Sequence, residues 1–185
     1  MENGSLEDWL HPSVGMNKPD TMRNLNFFQR INVAIDVAHA LEYLHHRCET
    51  PIIHCDLKPS NVLLDGEMVG HIKMLTGKRR TNERFTKGLS LHNFVKTALP
   101  DQVVEIIDPI LLQESVRGGI VVEITLNENN LGNDIHLQCL NSIFEIGLTC
   151  STESPSERMD MSNVITKLCS IREKFLRTTR LRRGV

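Results

Sequence analysis

The sequence predicts a mainly α fold with one small β-hairpin, and three observations predict it. Apolar residues recur at helical spacing through residues 26–46, 137–150 and 161–175. Between the first two stretches, Val62-Leu63-Leu64 is followed by the turn pair Asp65-Gly66 and then by Met68-Val69-Gly70-His71-Ile72, the pattern of a strand that turns and returns. With 185 residues, 40% hydrophobic and 24% charged, the chain is long enough for one globular domain with a core.

In chain order, a short helix is expected around Ser5 to Leu10, and the stretch from His11 to Asn24, with two prolines and a glycine, reads as a loop. Asn26 with Gln29 three residues later is a capping-box variant that starts a helix running to about His46. Phe27, Ile31, Ala34, Ala38 and Leu41 share one face of it, and Val33, Val37, Ala40 and Leu44 share another. A helix apolar over so much of its circumference is buried. Val62-Leu63-Leu64 reads as a short buried strand. Leu91, Phe94, Val95 and Ala98 fall at i, i+3, i+4 and i+7, a short amphipathic helix stopped by Pro100.

Residues 111–136 have strand-like propensity at Ile120 to Ile124 but asparagine- and glycine-rich flanks, so they read as an insertion of low order. Helical spacing resumes with Leu137, Leu140, Phe144 and Leu148. After a turn at 154–159 it continues with Met161, Val164, Ile165, Leu168, Ile171 and Phe175. Met159 and Met161 are core filling. Arg177, Arg180, Arg182 and Arg183 read as a solvated end, with a weak anionic contact as the alternative.

Composition bounds the function. A net charge of −2 and a pI of about 6.4 offer no general attraction to nucleic acid or to an anionic membrane. No basic and apolar leader pattern occurs, and no apolar run reaches the roughly 18 residues of a membrane span, so a cytoplasmic location is expected. The five cysteines are an odd count, mostly on apolar helical patterns, as expected of reduced thiols packed like small hydrophobes.

The chemistry-bearing stretch is His54-Cys55-Asp56-Leu57-Lys58-Pro59-Ser60-Asn61. A carboxylate, an ammonium and an amide at this spacing suit phosphoryl transfer. Asp56 suits acceptance of a hydroxyl proton, Lys58 neutralisation of a transferring phosphoryl group, and Asn61 donation of an amide oxygen to magnesium. Two competing readings are weaker. His45, His46, Cys48, His54 and Cys55 do not match the paired spacing of structural zinc sites. Gly77-Lys78-Arg79-Arg80 has no second glycine and Ser/Thr at P-loop spacing and no interleaved aromatics, so it reads as a solvated loop.

The motif resembles the catalytic loop of protein kinases, His-Arg-Asp-Leu-x-x-x-Asn, followed by an apolar strand. Cys55 stands where most of that family has Arg, which otherwise pairs with a phosphorylated activation loop. In this the chain resembles the non-Arg-Asp class of plant leucine-rich-repeat receptor-like serine/threonine kinases, and residues 1–10 resemble the segment just after the hinge between kinase lobes. The resemblance implies a kinase C-terminal lobe, with 26–46 as the helix that precedes the catalytic loop and the last two helices closing the lobe. It implies ATP and magnesium as cofactors, Asp56 and Lys58 as catalytic residues, Lys58 and Asn61 as cofactor-binding residues, and Asn61 as a magnesium ligand.

The chain also departs from the pattern. Met74 stands where kinases place the Asp of Asp-Phe-Gly, and from there on the sequence resembles the end of the lobe's central helix and the loop after it. The resemblance therefore implies an internal gap near 72–74 that removes the metal-binding Asp, the activation segment with its Ala-Pro-Glu end, and most of the central helix. No Gly-rich loop, no Val-Ala-Ile-Lys-type lysine and no partner glutamate helix occur in the sequence. Residues 1–185 are thus expected to be a partial kinase domain, inactive alone. The alternatives are a pseudokinase-like module that binds another kinase domain or signalling protein, and a truncated or mis-spliced product. Two structural expectations follow. Apolar faces built to cover the absent helix stay incompletely buried, and Arg158, whose family partner is the Ala-Pro-Glu glutamate, lies exposed or re-pairs with a local acid such as Glu153 or Glu157.

Overall fold

The computed structural model describes residues 4–11, 24–53, 57–64, 91–112 and 135–183. Seven helices occur among them: α1 (Leu6–Leu10), α2 (Phe27–His46), α3 (Leu91–Ala98), α4 (Val103–Ile106), α5 (Pro109–Leu112), α6 (Ile135–Cys150) and α7 (Met161–Arg183). Single 3-10 turns stand at Pro59–Asn61 and Pro155–Glu157.

The helix α2 organises the rest, and its start is fixed by the box expected from sequence. The Asn26 Oδ1 accepts the Gln29 N–H at 2.8 Å, and the Gln29 Oε1 accepts the Asn26 N–H at 2.9 Å. Two donors that the helix itself cannot satisfy are thereby paired. Both predicted faces are used. Phe27, Ile31, Ile35 and Ala38 enter the main core with residues of α3, α4, α6 and α7, among them Val95, Ile106, Leu140, Phe144 and Leu168. Val33 and Val37 enter a second core with Leu6 and Leu10 of α1, Leu25 and Leu64. Ile35 was not on either predicted face, Leu41 packs with the second rather than the first, and Ala40 is exposed.

A buried ion pair joins α2 to the segment after α4. The Arg30 guanidinium donates to the Asp108 carboxylate at 2.6 Å and through Nε to the Leu25 carbonyl at 2.8 Å, with side chains 1% and 7% exposed. A charge this far from water is tolerated only when paired and hydrogen-bonded, and here it is both.

The helix α3 starts and ends as its apolar spacing and Pro100 require. Leu111, placed in the low-order insertion by sequence, belongs to α5 and is fully buried in the main core, while residues 113–134 of that insertion lie outside the described residues. The last helix runs eight residues beyond the predicted Phe175, to Arg183. At its start the Asp160 carboxylate accepts the Ser162 N–H at 2.9 Å, a cap that satisfies another orphan donor. Met159 and Met161 are half-buried against the main core, as expected.

The expected incomplete burial of the faces that would cover the absent helix is not found among the described residues. On the inner faces of α2, α6 and α7, Phe27, Leu140 and Phe144 have no exposed surface, so these helices share a continuous core. The exposed large apolar side chains among the described residues are Tyr43, Ile52, Ile53, Leu57 and Leu63, all between the end of α2 and the strand-like segment.

Candidate functional site

Backbone pairing fixes the far end of the loop that carries the predicted site. Gly4 has φ 72°, the left-handed region that a residue without Cβ occupies freely, and its carbonyl accepts the Leu64 N–H at 2.9 Å. The Leu6 N–H in turn donates to the Val62 carbonyl at 2.8 Å, setting Ser5 opposite Leu63 as an antiparallel bridge. Just past the bridge, the Asp8 carboxylate reaches back to the Ser5 N–H at 2.9 Å and Oγ at 2.8 Å, which holds the start of α1. The segment 62–64 therefore pairs with the beginning of the chain. The returning hairpin strand expected at 68–72 lies outside the described residues.

The side chains of this segment correct a second expectation. Leu64 is buried in the second core and Val62 is half-buried against it, but Leu63 is 50% exposed. Alternation explains this: successive residues of an extended segment point to opposite sides, and only one side meets α1 and α2.

Lys58 and Asn61 sit on this anchored end. Lys58 is extended and precedes the 3-10 turn, with Pro59 at its first position, where a missing N–H costs nothing. The Asn61 N–H donates to the Lys58 carbonyl at 2.9 Å, and the Val62 N–H to the Pro59 carbonyl at 3.3 Å. These bonds hold the backbones of the ammonium-bearing and amide-bearing residues within one turn, and both side chains are exposed. Asp56, with His54 and Cys55, lies outside the described residues, as do Met74 and Gly77 to Arg80. Sequence reasoning missed the Gly4–Leu6 anchor. Its signal was present in Gly4 followed by Ser5 and, three residues on, Asp8, the composition of a turn that opens a helix.

Arg158, singled out for its missing partner, is exposed. Its Nε donates to the Thr152 carbonyl at 2.9 Å and its guanidinium also reaches the Glu153 carbonyl at 3.4 Å. Backbone carbonyls of the turn between α6 and α7, rather than the Glu153 or Glu157 carboxylates, receive it.

The fold and this loop define a protein kinase lobe, and the comparisons with known proteins agree. A family model described as protein tyrosine and serine/threonine kinase matches residues 1–78. A probable leucine-rich-repeat receptor-like serine/threonine-protein kinase of Arabidopsis thaliana is 33% identical over 237 residues, covering 97% of this chain and 22% of that protein. The receptor kinase-like protein Xa21 of Oryza sativa subsp. japonica is 29% identical over 232 residues, covering 95% of this chain and 22% of that protein. Among solved structures, an apo pseudokinase has a TM-score of 0.60 at 18% identity, covering 92% of this chain and 59% of that one. The pseudokinase drought responsive inactive kinase 1, in a co-crystal with a small molecule, has a TM-score of 0.56 at 17% identity, covering 92% of this chain and 60% of that one.

The chain belongs to the protein kinase family, as a partial kinase domain related to plant leucine-rich-repeat receptor-like serine/threonine kinases. It spans about a fifth, 22%, of the length of these curated relatives. No described helix is long and apolar enough to cross a membrane.

Proposed function

We propose that this chain is a catalytically silent kinase fragment that keeps the anchored end of the catalytic loop without the second magnesium ligand that would hold ATP above it. The observation that carries the reading is the anchored turn at Pro59–Asn61, an intact loop end in a sequence where Met74 stands at the place of the Asp that holds the magnesium bridging the ATP phosphates in kinases. Phosphoryl transfer depends almost wholly on positioning the nucleotide and neutralising developing charge. With Asp56 as base, Lys58 as phosphate neutraliser and Asn61 as amide ligand, the chain carries the half of that machinery that faces the protein substrate.

On this reading an internal gap falls near 72–74, and the alignment with the Arabidopsis relative leaves room for one. At 97% coverage this chain supplies about 179 of the 237 aligned positions of its Arabidopsis relative, leaving about 58 that the relative fills alone. The family uses ATP and magnesium. The residues of this chain do not fit the ion well: magnesium takes hard oxygen donors, Asn61 offers one amide oxygen, and Met74, a thioether, stands at the place of the second ligand. Among the described residues, no three His, Cys, Asp or Glu side chains converge where a metal ion could sit.

Incubation of the purified chain with labelled ATP, magnesium and a general protein substrate is the direct test. No transfer above that of an Asp56→Asn variant is expected. Transfer that vanishes in the variant would overturn the reading, because enzymatic acceleration of at least roughly 10⁶-fold requires a bound, oriented nucleotide.

A further inference from the structure

The corner between α6 and α7 sets a cation without a counter-ion beside a pair of hydroxyls. Arg158 is exposed, and its guanidinium rests on the Thr152 and Glu153 carbonyls at 2.9 and 3.4 Å. Both partners are neutral, and no described carboxylate pairs with it. The guanidinium fork has more donors than two carbonyls use, and it is already ordered against the backbone of Ser154, whose nitrogen is bonded to the Glu153 carbonyl carbon. Four hydroxyls stand at this corner, those of Ser151, Thr152, Ser154 and Ser156, and their bonds sort them. The Ser151 Oγ donates to the Gly147 carbonyl at 2.7 Å, and the part-buried Thr152 Oγ1 donates to the Thr149 and Ser154 carbonyls at 3.3 and 3.4 Å, so both are spent on the chain's own backbone. Ser154 and Ser156 are not. Their Oγ atoms meet each other at 2.9 Å on the exposed side, and Ser154, which precedes the 3-10 turn, makes no side-chain bond to cap it.

We propose that Ser154 is a phosphoacceptor for a separate proline-directed serine/threonine kinase, and that Arg158 receives the phosphate. Pro155 follows Ser154 directly whereas Glu157 follows Ser156, which singles out Ser154 as the acceptor and leaves the Ser156 hydroxyl as a donor to the product. Residues 155–158 are all exposed, so the flank that a kinase must read is open. In the transfer the Ser154 Oγ bonds to the terminal phosphorus of ATP held by that kinase as the bond to the ADP oxygen breaks, and the hydroxyl proton passes to the kinase's base. A phosphoserine carries about −1.5 to −2 near neutral pH and, opposite an arginine, forms charge-assisted hydrogen bonds stronger than those a carbonyl offers. Arg158 has little freedom left to lose, because the two carbonyls already hold it. Three acids oppose the added charge: Glu153, Glu157 and Asp160. All three are exposed, where salt screens them, and Asp160 is turned to the Ser162 N–H at 2.9 Å and to His46 at 3.7 Å. The phosphate fastens the turn that joins α6 to α7 through Arg158.

The test is incubation of the folded 185-residue chain with a proline-directed serine/threonine kinase, ATP and magnesium, followed by peptide mapping by mass spectrometry. Phosphate is expected on Ser154, with loss of that signal in S154A and its retention in S156A. The phosphorylated chain is then titrated by phosphorus NMR. Beside Arg158 the phosphoserine is expected to lose its second proton below the ordinary value of about 6. R158Q is expected to move that midpoint upward, and R158K to keep part of the depression. Salt at about 1 M is expected to move it upward as well, since pairing at an exposed site is screened. Circular dichroism verifies that the variants keep their helices; should R158Q not fold, mapping in the parent chain, R158K and the salt response decide. Ser154 left unmodified, uptake at Ser154 only in urea, or a titration midpoint that neither R158Q nor salt moves would each overturn the proposal.

Discussion

Around Phe27, Leu140 and Phe144 the three long helices exclude water completely, whereas Ile53, a few residues past the end of α2, is 71% exposed. The two regions share α2, so the difference does not come from the helix that supports them. It comes from what each face meets. The first face of α2 packs with residues of α3, α4, α6 and α7, a closed set of partners drawn from distant parts of the chain. Among the described residues the second meets α1, Leu25 and the 62–64 segment, and beyond Leu41 it gives way to Tyr43 and then to the loop residues Ile52, Ile53 and Leu57, which are exposed. Burial among the described residues is therefore concentrated away from the candidate residues Lys58 and Asn61.

Truncation on each side should break the symmetry most clearly. Phe144→Ala removes a fully buried ring from the main core and is expected to cost about 3–5 kcal/mol, a large share of the roughly 5–15 kcal/mol of a whole domain. Leu63→Ala, on a half-exposed side chain, is expected to stay within about 0.5 kcal/mol. Urea unfolding followed by circular dichroism measures both, and equal costs would show that the loop region is as tightly held as the core.

The buried ion pair gives the next effect. Arg30→Met removes the guanidinium from the Asp108 carboxylate, which then lies buried without its counter-charge, at a cost of about 3–5 kcal/mol if the site stays dry. Adding Asp108→Leu is expected to recover much of that loss, because the penalty is the orphaned charge rather than the missing attraction. A double variant no more stable than Arg30→Met alone would show instead that the pair holds the α4 to α5 segment in place by its geometry.

Much of this was legible in the sequence where one local pattern decides the outcome. The Asn26 and Gln29 box set the start of α2, and the apolar spacing of Leu91 to Ala98 with Pro100 behind it set α3. Pairings across long sequence separations were not legible. Arg30 meets Asp108 seventy-eight residues away, and nothing in the local pattern of either residue announces the other. The same holds for Gly4 to Leu6 against Val62 to Leu64: a short continuous apolar run suggests a strand but not which segment it pairs with. The candidate loop residues Lys58 and Asn61 could be singled out because a motif of fixed spacing names them without any long-range contact. Reading Val62-Leu63-Leu64 as uniformly buried failed because three consecutive apolar residues conceal which side of a strand faces the core.

The smallest expected effect is a pH dependence at the C-terminal end of α6. Burial pushes the Cys150 thiol above its ordinary value of 9.0, and the Lys167 ammonium partly opposes that shift by favouring the thiolate. The sign follows from which state ionises first. As pH rises through about 9.0 the thiol of the unfolded chain loses its proton while the folded one keeps it, so the unfolded state is favoured increasingly until the folded thiol titrates as well. Stability from this group is therefore fully present below pH 9.0 and is lost above it. Unfolding midpoints in urea, measured between neutral pH and the alkaline range, should fall less in Cys150→Ala than in the parent chain over that window, after allowance for the constant loss of the sulfur's packing. Replacement of Lys167 by Met should steepen the fall in the parent chain, because the cation that favours the folded thiolate is gone. Parallel pH profiles for the parent and Cys150→Ala would show that the thiol is hydrated in the folded state, and that this end of α6 is as open to water as the exposed loop residues Ile52 and Ile53.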